Sequence, residues 1–205
     1  VDWTVFQWLD GLLQGHDLLG DEVADFSALS PLMVGFAVIG LWFASRPGGP
    51  GRGKLACASA LLSAGVALMA NQAISALWFR ERPTDAHPGE ALLHFVSPSA
   101  DPSFPSDHAG AAFAIAFAVL FVSRRAGWWF LGAAALVGLS RVLVGLHYPG
   151  DVLAGAAVGF TAAWLVHRFA RRPLLSLIGQ VSRLTDPLVR PLWRAAESLQ
   201  PGRRA

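Results

Sequence analysis

The sequence predicts an all-α integral membrane protein: a bundle of about five transmembrane helices with amphipathic interfacial ends. Three observations lead there. Of the 205 residues, 54% are hydrophobic and only 15% charged, against the roughly 25% charged residues of soluble domains. The apolar residues gather into segments near the ~20 residues a bilayer core requires. Those segments are too long and too weakly alternating for barrel strands, which leaves helix as the way to satisfy backbone polar groups in hydrocarbon.

The elements follow in chain order. Residues 1–28 hold six acids and no Lys or Arg. Within them "VDWTVFQWLDGLL" sets Trp3, Phe6 and Leu13 roughly on one side, with Trp8 suited to the interface. That pattern predicts a helix lying in the outer headgroup region. The stretch lacks the positive opening of a cleavable signal. Spanning helices are predicted near Ala28–Ser45, Leu55–Phe79, Ala109–Val122, Trp128–Leu146 and Val152–Phe169. The third is short unless it begins near Ser106, so that polar turn is assigned to it. Runs such as "AGAAFAIAFA", "LGAAALVG" and "LAGAAVGF" predict close helix packing through small residues. The transmembrane unit is taken as residues 1–172, and 173–205 as an amphipathic or partly disordered cytoplasmic tail that Pro187 and Pro191 would break into pieces.

Basic residues set the orientation. Arg46, Arg52 and Lys54, then Arg124 and Arg125, then Arg168, Arg171 and Arg172 mark alternate connections as cytoplasmic. The loop from Arg80 to Pro105 and the turn His147–Asp151 then face outside. A net charge of +2 is too small to imply nucleic acid, and Cys57 is alone, so no intramolecular disulfide forms.

Three polar clusters interrupt the apolar pattern, and the topology brings all three to the outer face. They are "WFRERP" (Trp78–Pro83), "SFPSDHAG" (Ser103–Gly110) and "SRVLVGLHYPGD" (Ser140–Asp151). Polar groups at membrane depth are costly and persist mainly where they act. A helix beginning near Ser106 points free N–H groups at such a site. Arg80, Arg82 and Arg141 add fixed positive charge suited to phosphate. Asp151 is expected to accept from one imidazole nitrogen of His147, leaving the other free to attack. His108 is placed to protonate a leaving oxygen. This set describes phosphoryl transfer through a phosphohistidine, with no metal cage evident. His16, His87, His94 and His167 receive no role, although His87 and His94 lie in the outer loop.

Arg82–Pro83, "PSDH" at Pro105–His108, and Ser-Arg, five residues, His, three residues, Asp at Ser140–Asp151 resemble the three signature motifs of the type-2 phosphatidic acid phosphatase superfamily. The resemblance covers about Asn71 to Gly155. It implies an α-helical bundle and cofactor-free, metal-free chemistry. It further implies His147 as nucleophile, Asp151 as its partner and His108 as general acid. Arg82, Ser106, Arg141 and the amide of Asp107 would hold the phosphate. Two positions depart from the pattern. Ser75 stands where the first motif usually carries Lys, and Arg80 is expected to supply the missing charge. Asp107 stands where Gly is more frequent, and "FPSDHA" is similar to the branch acting on undecaprenyl diphosphate. The implied activity is removal of the terminal phosphate of a polyprenyl (undecaprenyl or decaprenyl) diphosphate at the outer face of a bacterial plasma membrane. The alternatives are phosphatidylglycerol phosphate, phosphatidic acid or a decaprenyl-phospho-sugar phosphate as substrate, and a non-catalytic lipid-binding or transport protein.

Overall fold

Hydrocarbon-length apolar stretches and their polar interruptions set the elements of the computed structural model, which describes residues 2–11, 17–48, 51–87 and 101–198. They form α1 (Asp2–Gly11), α2 (Asp17–Phe43), α3 (Arg52–Leu77), the single turn α4 (Pro83–Ala86), α5 (Asp107–Val122), α6 (Arg124–Leu143), α7 (Pro149–Leu165) and α8 (Arg171–Ser198). A π-helical turn, Val166–Ala170, joins α7 to α8. The described residues contain no strand. Four helical stretches are long and apolar enough to cross a membrane: α2 from Gly20, α3, α6, and the helix running on from Pro149.

At 16 residues α5 is shorter, about 24 Å at 1.5 Å per residue. It sits at the centre, packed on α3, α6 and α7, so neighbours rather than lipid cover it. Its alanines make that approach possible: Ala109, Ala112, Ala114, Ala116 and Ala118 are all buried. α7 supplies the matching glycines. A Cβ on Gly155 would come within 2.6 Å of the Ser106 carbonyl, and one on Gly159 within 2.6 Å of the Gly110 carbonyl. A larger residue at either position would push α7 off α5 and open the site end. Outside this core, Leu32, Phe36, Met69, Trp128, Trp129 and Leu153 are exposed, an apolar flank suited to lipid.

Helix starts fall at the polar interruptions. Ser106 is the N-cap of α5, its Oγ accepting from the Ala109 N–H at 3.4 Å. Pro149 opens α7, and the Asp151 carboxylate reaches back to the Tyr148 N–H at 2.9 Å. Between α6 and α7 the chain reverses at Gly145, whose φ of +76° is left-handed.

Pro187 and Pro191 do not break the tail. Residues 171–198 form one continuous helix, and the expected division at 172/173 falls in its first turn. Both prolines lie on the exposed side of α8, where the carbonyls they leave unpaired face solvent or headgroups, and the opposite side is pinned. Leu174 and Ile178 pack with Leu55 and Val166. Lys54 Nζ meets Asp186 Oδ1 at 2.6 Å and Ser182 Oγ at 3.1 Å. Trp193 Nε1 donates to the Phe43 carbonyl at 3.2 Å. These contacts run from the start of α3 to the end of α2, so α8 crosses one end of the bundle. Residues 199–205 lie outside the described residues.

Candidate active site

Each polar cluster begins or ends a helix at the same end of the bundle, so the three converge. They enclose a cavity of 280 Å³ lined by Ser75, Arg82, Asp107, His108, Arg141 and His147, among others. Arg82 precedes α4, Asp107 and His108 open α5, Arg141 ends α6 and His147 lies in the α6–α7 turn. The first turn of α5 carries N–H groups without helical partners, so it offers amide donors beside the two arginines.

The imidazole of His147 is 4% exposed. Its Nδ1 lies 2.7 Å from the backbone carbonyl of Ser103. A carbonyl only accepts, so Nδ1 carries the proton and Nε2 is bare. Asp151 was expected in that accepting role, and the structure corrects it: Oδ2 is 4.0 Å from Nδ1, beyond hydrogen-bond distance. The carboxylate is occupied elsewhere. Oδ2 accepts from Ser103 Oγ at 2.6 Å and from the Tyr148 N–H at 2.9 Å, and Oδ1 accepts from Arg80 Nη1 at 2.6 Å. The Asp151 carbonyl accepts the Ser106 N–H at 3.1 Å, tying the second cluster to the third. Asp151 therefore acts on His147 through Ser103. Burial first, then Arg141, with smaller contributions from Arg82 and His108, lowers the His147 pKa to about 3 against the opposing pull of the Ser103 carbonyl. The ring is neutral and carries a free lone pair.

Arg80 needs a second correction. It does not line the cavity and does not replace the missing Lys. Its guanidinium spans Asp151 and Asp2 Oδ2 (2.8 Å) and lies 3.9 Å above the Tyr148 ring. Two carboxylates and an aromatic face outcompete an open cavity for that cation; burial pulls its pKa down, and Asp2 and Asp151 together more than offset that and raise it. Ser75 lines the cavity with no compensating charge and donates to the Phe104 carbonyl at 3.0 Å. Ser106 is fully buried, its hydroxyl committed to capping α5. Asp107 does line the cavity, but amides hold its carboxylate: Asn71 Nδ2 at 3.0 Å and Gln72 Nε2 at 2.8 Å. Those donors offset its charge.

Arg141, 8% exposed, donates through Nη1 to Ser27 Oγ at 2.8 Å. Its Nε is buried without a partner among the described residues, an unmet donor beside the cavity. Arg82 Nε donates to the Asp101 carbonyl at 3.2 Å. His87 stacks on Trp3 at 3.6 Å between ring centroids and is not at the cavity. His16 and His94 lie outside the described residues.

Ser103, Asn71, Gln72, Ser27 and Asp2 were not singled out from the sequence. Ser103 stood only as the first residue of the second polar cluster, and the Asn71–Gln72 pair carried a visible signal, two amides inside an apolar span.

The polar cavity has an apolar neighbour. Asp107 and His108 also line a 220 Å³ space whose other walls include Val34, Leu68, Ile115 and Val137. A further 290 Å³ space shares Ser30, Val34 and Val137 and extends to Trp129. These apolar spaces adjoin the polar cavity through shared wall residues and lie between α2 and α6.

A family model described as the PAP2 superfamily matches residues 56–174. The chain is 41% identical over 92 residues to "Undecaprenyl-diphosphatase BcrC" of Bacillus subtilis (strain 168), covering 43% of this chain and 48% of that protein. It is 49% identical over 73 residues to "Lipid A 1-phosphatase" of Rhizobium johnstonii, covering 34% and 28%. These matches span less than half the length of either relative. The crystal structure of Aquifex aeolicus LpxE superposes with a TM-score of 0.62 at 23% identity, covering 82% of this chain and 94% of that one.

Proposed function

The chain belongs to the PAP2 superfamily, and from that premise we propose that it is a lipid phosphatase removing the terminal phosphate of a polyprenyl diphosphate. The observation that carries the reading is the shared wall at Asp107 and His108, where a cationic cavity with a bare imidazole nitrogen adjoins an apolar space. A phosphorylated headgroup fits the first space and a hydrocarbon chain the second. The similarity to an undecaprenyl-diphosphatase favours a polyprenyl diphosphate; the similarity to lipid A phosphatases keeps another lipid phosphate as the second reading.

In the proposed reaction Nε2 of His147 attacks the terminal phosphorus. The N–P bond forms as the P–O bond to the lipid monophosphate breaks, and His108, protonated once the bound diphosphate's negative charge offsets Arg141 and Arg82, gives that proton to the leaving oxygen. Arg82, Arg141 and the first-turn amides of α5 stabilise the charge on the transferring group. Water, deprotonated by His108, then cleaves the phosphohistidine and releases phosphate. The chain's own cations carry the charge in this scheme, with no metal assigned. The site end faces outward in this reading, because Arg52, Arg124, Arg125 and Arg171 gather at the other end.

Phosphate release by the purified protein in EDTA from a prenyl diphosphate, phosphatidylglycerol phosphate and phosphatidic acid tests the reading. The prenyl diphosphate is expected to be the preferred substrate, and His147→Ala to abolish turnover. No release from any of the three supports a binding or transport role. Loss of activity in EDTA, restored by a divalent cation, rejects the metal-free scheme.

A further inference from the structure

The end of the bundle remote from His147 holds a second cavity, of 520 Å³. Three separate segments meet around it. Arg52 comes from the first turn of α3, Arg124 and Arg125 from the first turn of α6, and Arg171 from the first turn of α8. None of these four arginines pairs with a carboxylate among the described residues, and no acid lines the cavity. The four side chains are exposed around the mouth of this concavity, and four like charges about one space give it a positive potential that attracts an anion.

The remaining walls indicate what brings it. The buried hydroxyl residue Ser59 and the N-cap Ser123 add polar groups, while Leu55, Phe121 and Val122 give part of the lining an apolar character. His167 also lines the space, its ring 5.1 Å from that of Phe121. With no carboxylate or second histidine in the lining, the cavity has groups to hold an anion and none arranged to transfer a phosphoryl group.

We propose that this cavity binds the phosphate group of an anionic phospholipid from the leaflet opposite the active site. Guanidinium groups match phosphate oxygens in charge and in bidentate geometry, and basic recesses between helices at a membrane surface suit phospholipid headgroups. A bound headgroup would bridge α3, α6 and the start of α8, tying the crossing helix to the bundle it closes. The same phosphate chemistry is available from a free anion, so source is the first thing an experiment must separate.

The full chain in neutral detergent is titrated with phosphatidylglycerol, phosphatidylcholine or inorganic phosphate, reading thermal midpoint and lipid retention by native mass spectrometry. Phosphatidylglycerol is expected to raise the midpoint and be retained, in the wild type and equally in Arg141→Gln, which disturbs only the active-site cavity. Arg124→Gln/Arg125→Gln should weaken that binding about tenfold, with turnover in detergent unchanged. If the double variant does not fold, Arg171→Gln on the facing wall carries the same comparison. Equal stabilisation of the wild type and these variants overturns the proposal, as does a response lost only in Arg141→Gln. An Arg124-dependent shift of the same size with inorganic phosphate assigns the cavity to a soluble anion and overturns the lipid assignment.

Discussion

His147 is held by a backbone carbonyl, and that decides how its neighbours respond to substitution. Ser103→Ala keeps the carbonyl and removes the hydroxyl, with its 2.6 Å bond to Asp151 and its 3.4 Å contact to the Leu146 carbonyl. It should lower kcat about tenfold with KM nearly unchanged, because the ring is misaimed rather than the phosphate released. Asp151→Asn also strips a charge partner from Arg80 and loosens the Tyr148 turn, so steady-state kinetics should show a larger loss, about a hundredfold. Equal and negligible losses would mean that the Asp151–Ser103 relay does not position the nucleophile. The His147 pKa of about 3 has a consequence for stability. Between the unfolded value near 6.5 and the folded one, the unfolded chain binds a proton that the folded chain refuses. Stability contributed by the neutral ring is thus complete above the unfolded value and declines as pH falls through that window. Thermal midpoints from pH 7 to pH 4 should fall less steeply for His147→Asn than for the wild type. The polar clusters were readable because charges at membrane depth are expensive enough to signal purpose. Arg80 was misread because its two partners, Asp151 and Asp2, lie 71 and 78 residues away, pairings that no local pattern exposes. Ser103 meets His147 through its main chain, and that half of its role leaves no side-chain signature.

The helices were legible wherever hydrocarbon set their length. α3 and α6 fall within a few residues of their expected bounds, and α5 begins at Asp107 because Ser106 can cap it. α8 was not legible, because its continuity depends on a partner surface. Its docking relies on Lys54 and Asp186, with side chains 1% and 8% exposed. Asp186 Oδ2 also accepts the Gly48 N–H at 2.8 Å. Lys54→Met leaves a buried carboxylate without its cation and should cost about 3–5 kcal/mol. Lys54→Met combined with Asp186→Leu removes both charges and should recover most of that loss. Unfolding midpoints of the two variants against wild type measure the difference; equal losses would show that the ion pair does not hold α8 down. α1 is the counterpart at the other end. Phe6 is 1% exposed and meets the Tyr148 ring edge-on, while Asp2 Oδ1 accepts the Gly150 N–H at 2.9 Å. An amphipathic start thus becomes a brace on the turn that carries His147.

The molecule as a whole is polarised along its helices. Reactive groups gather at one end, the arginines Arg52, Arg124, Arg125 and Arg171 at the other, and apolar spaces lie between the first and the flank. If the substrate is a lipid, its chain must leave the headgroup cavity without crossing polar wall, and the path through Val34 and Val137 is the apolar route adjoining His108. Val34 is only partly buried, so Val34→Phe fills space rather than overpacking the core, where an enlarged side chain would cost about 1–3 kcal/mol. The variant should keep hydrolysis of a short, water-soluble prenyl diphosphate near wild type, because the headgroup cavity is untouched. Hydrolysis of a long-chain prenyl diphosphate should fall about tenfold, roughly the ~1.4 kcal/mol of losing contact for two methylenes. The ratio of kcat/KM for long and short substrates reads this directly and cancels any general loss of active protein. An unchanged ratio would place the chain elsewhere on the bundle, with the α2–α6 path serving packing alone.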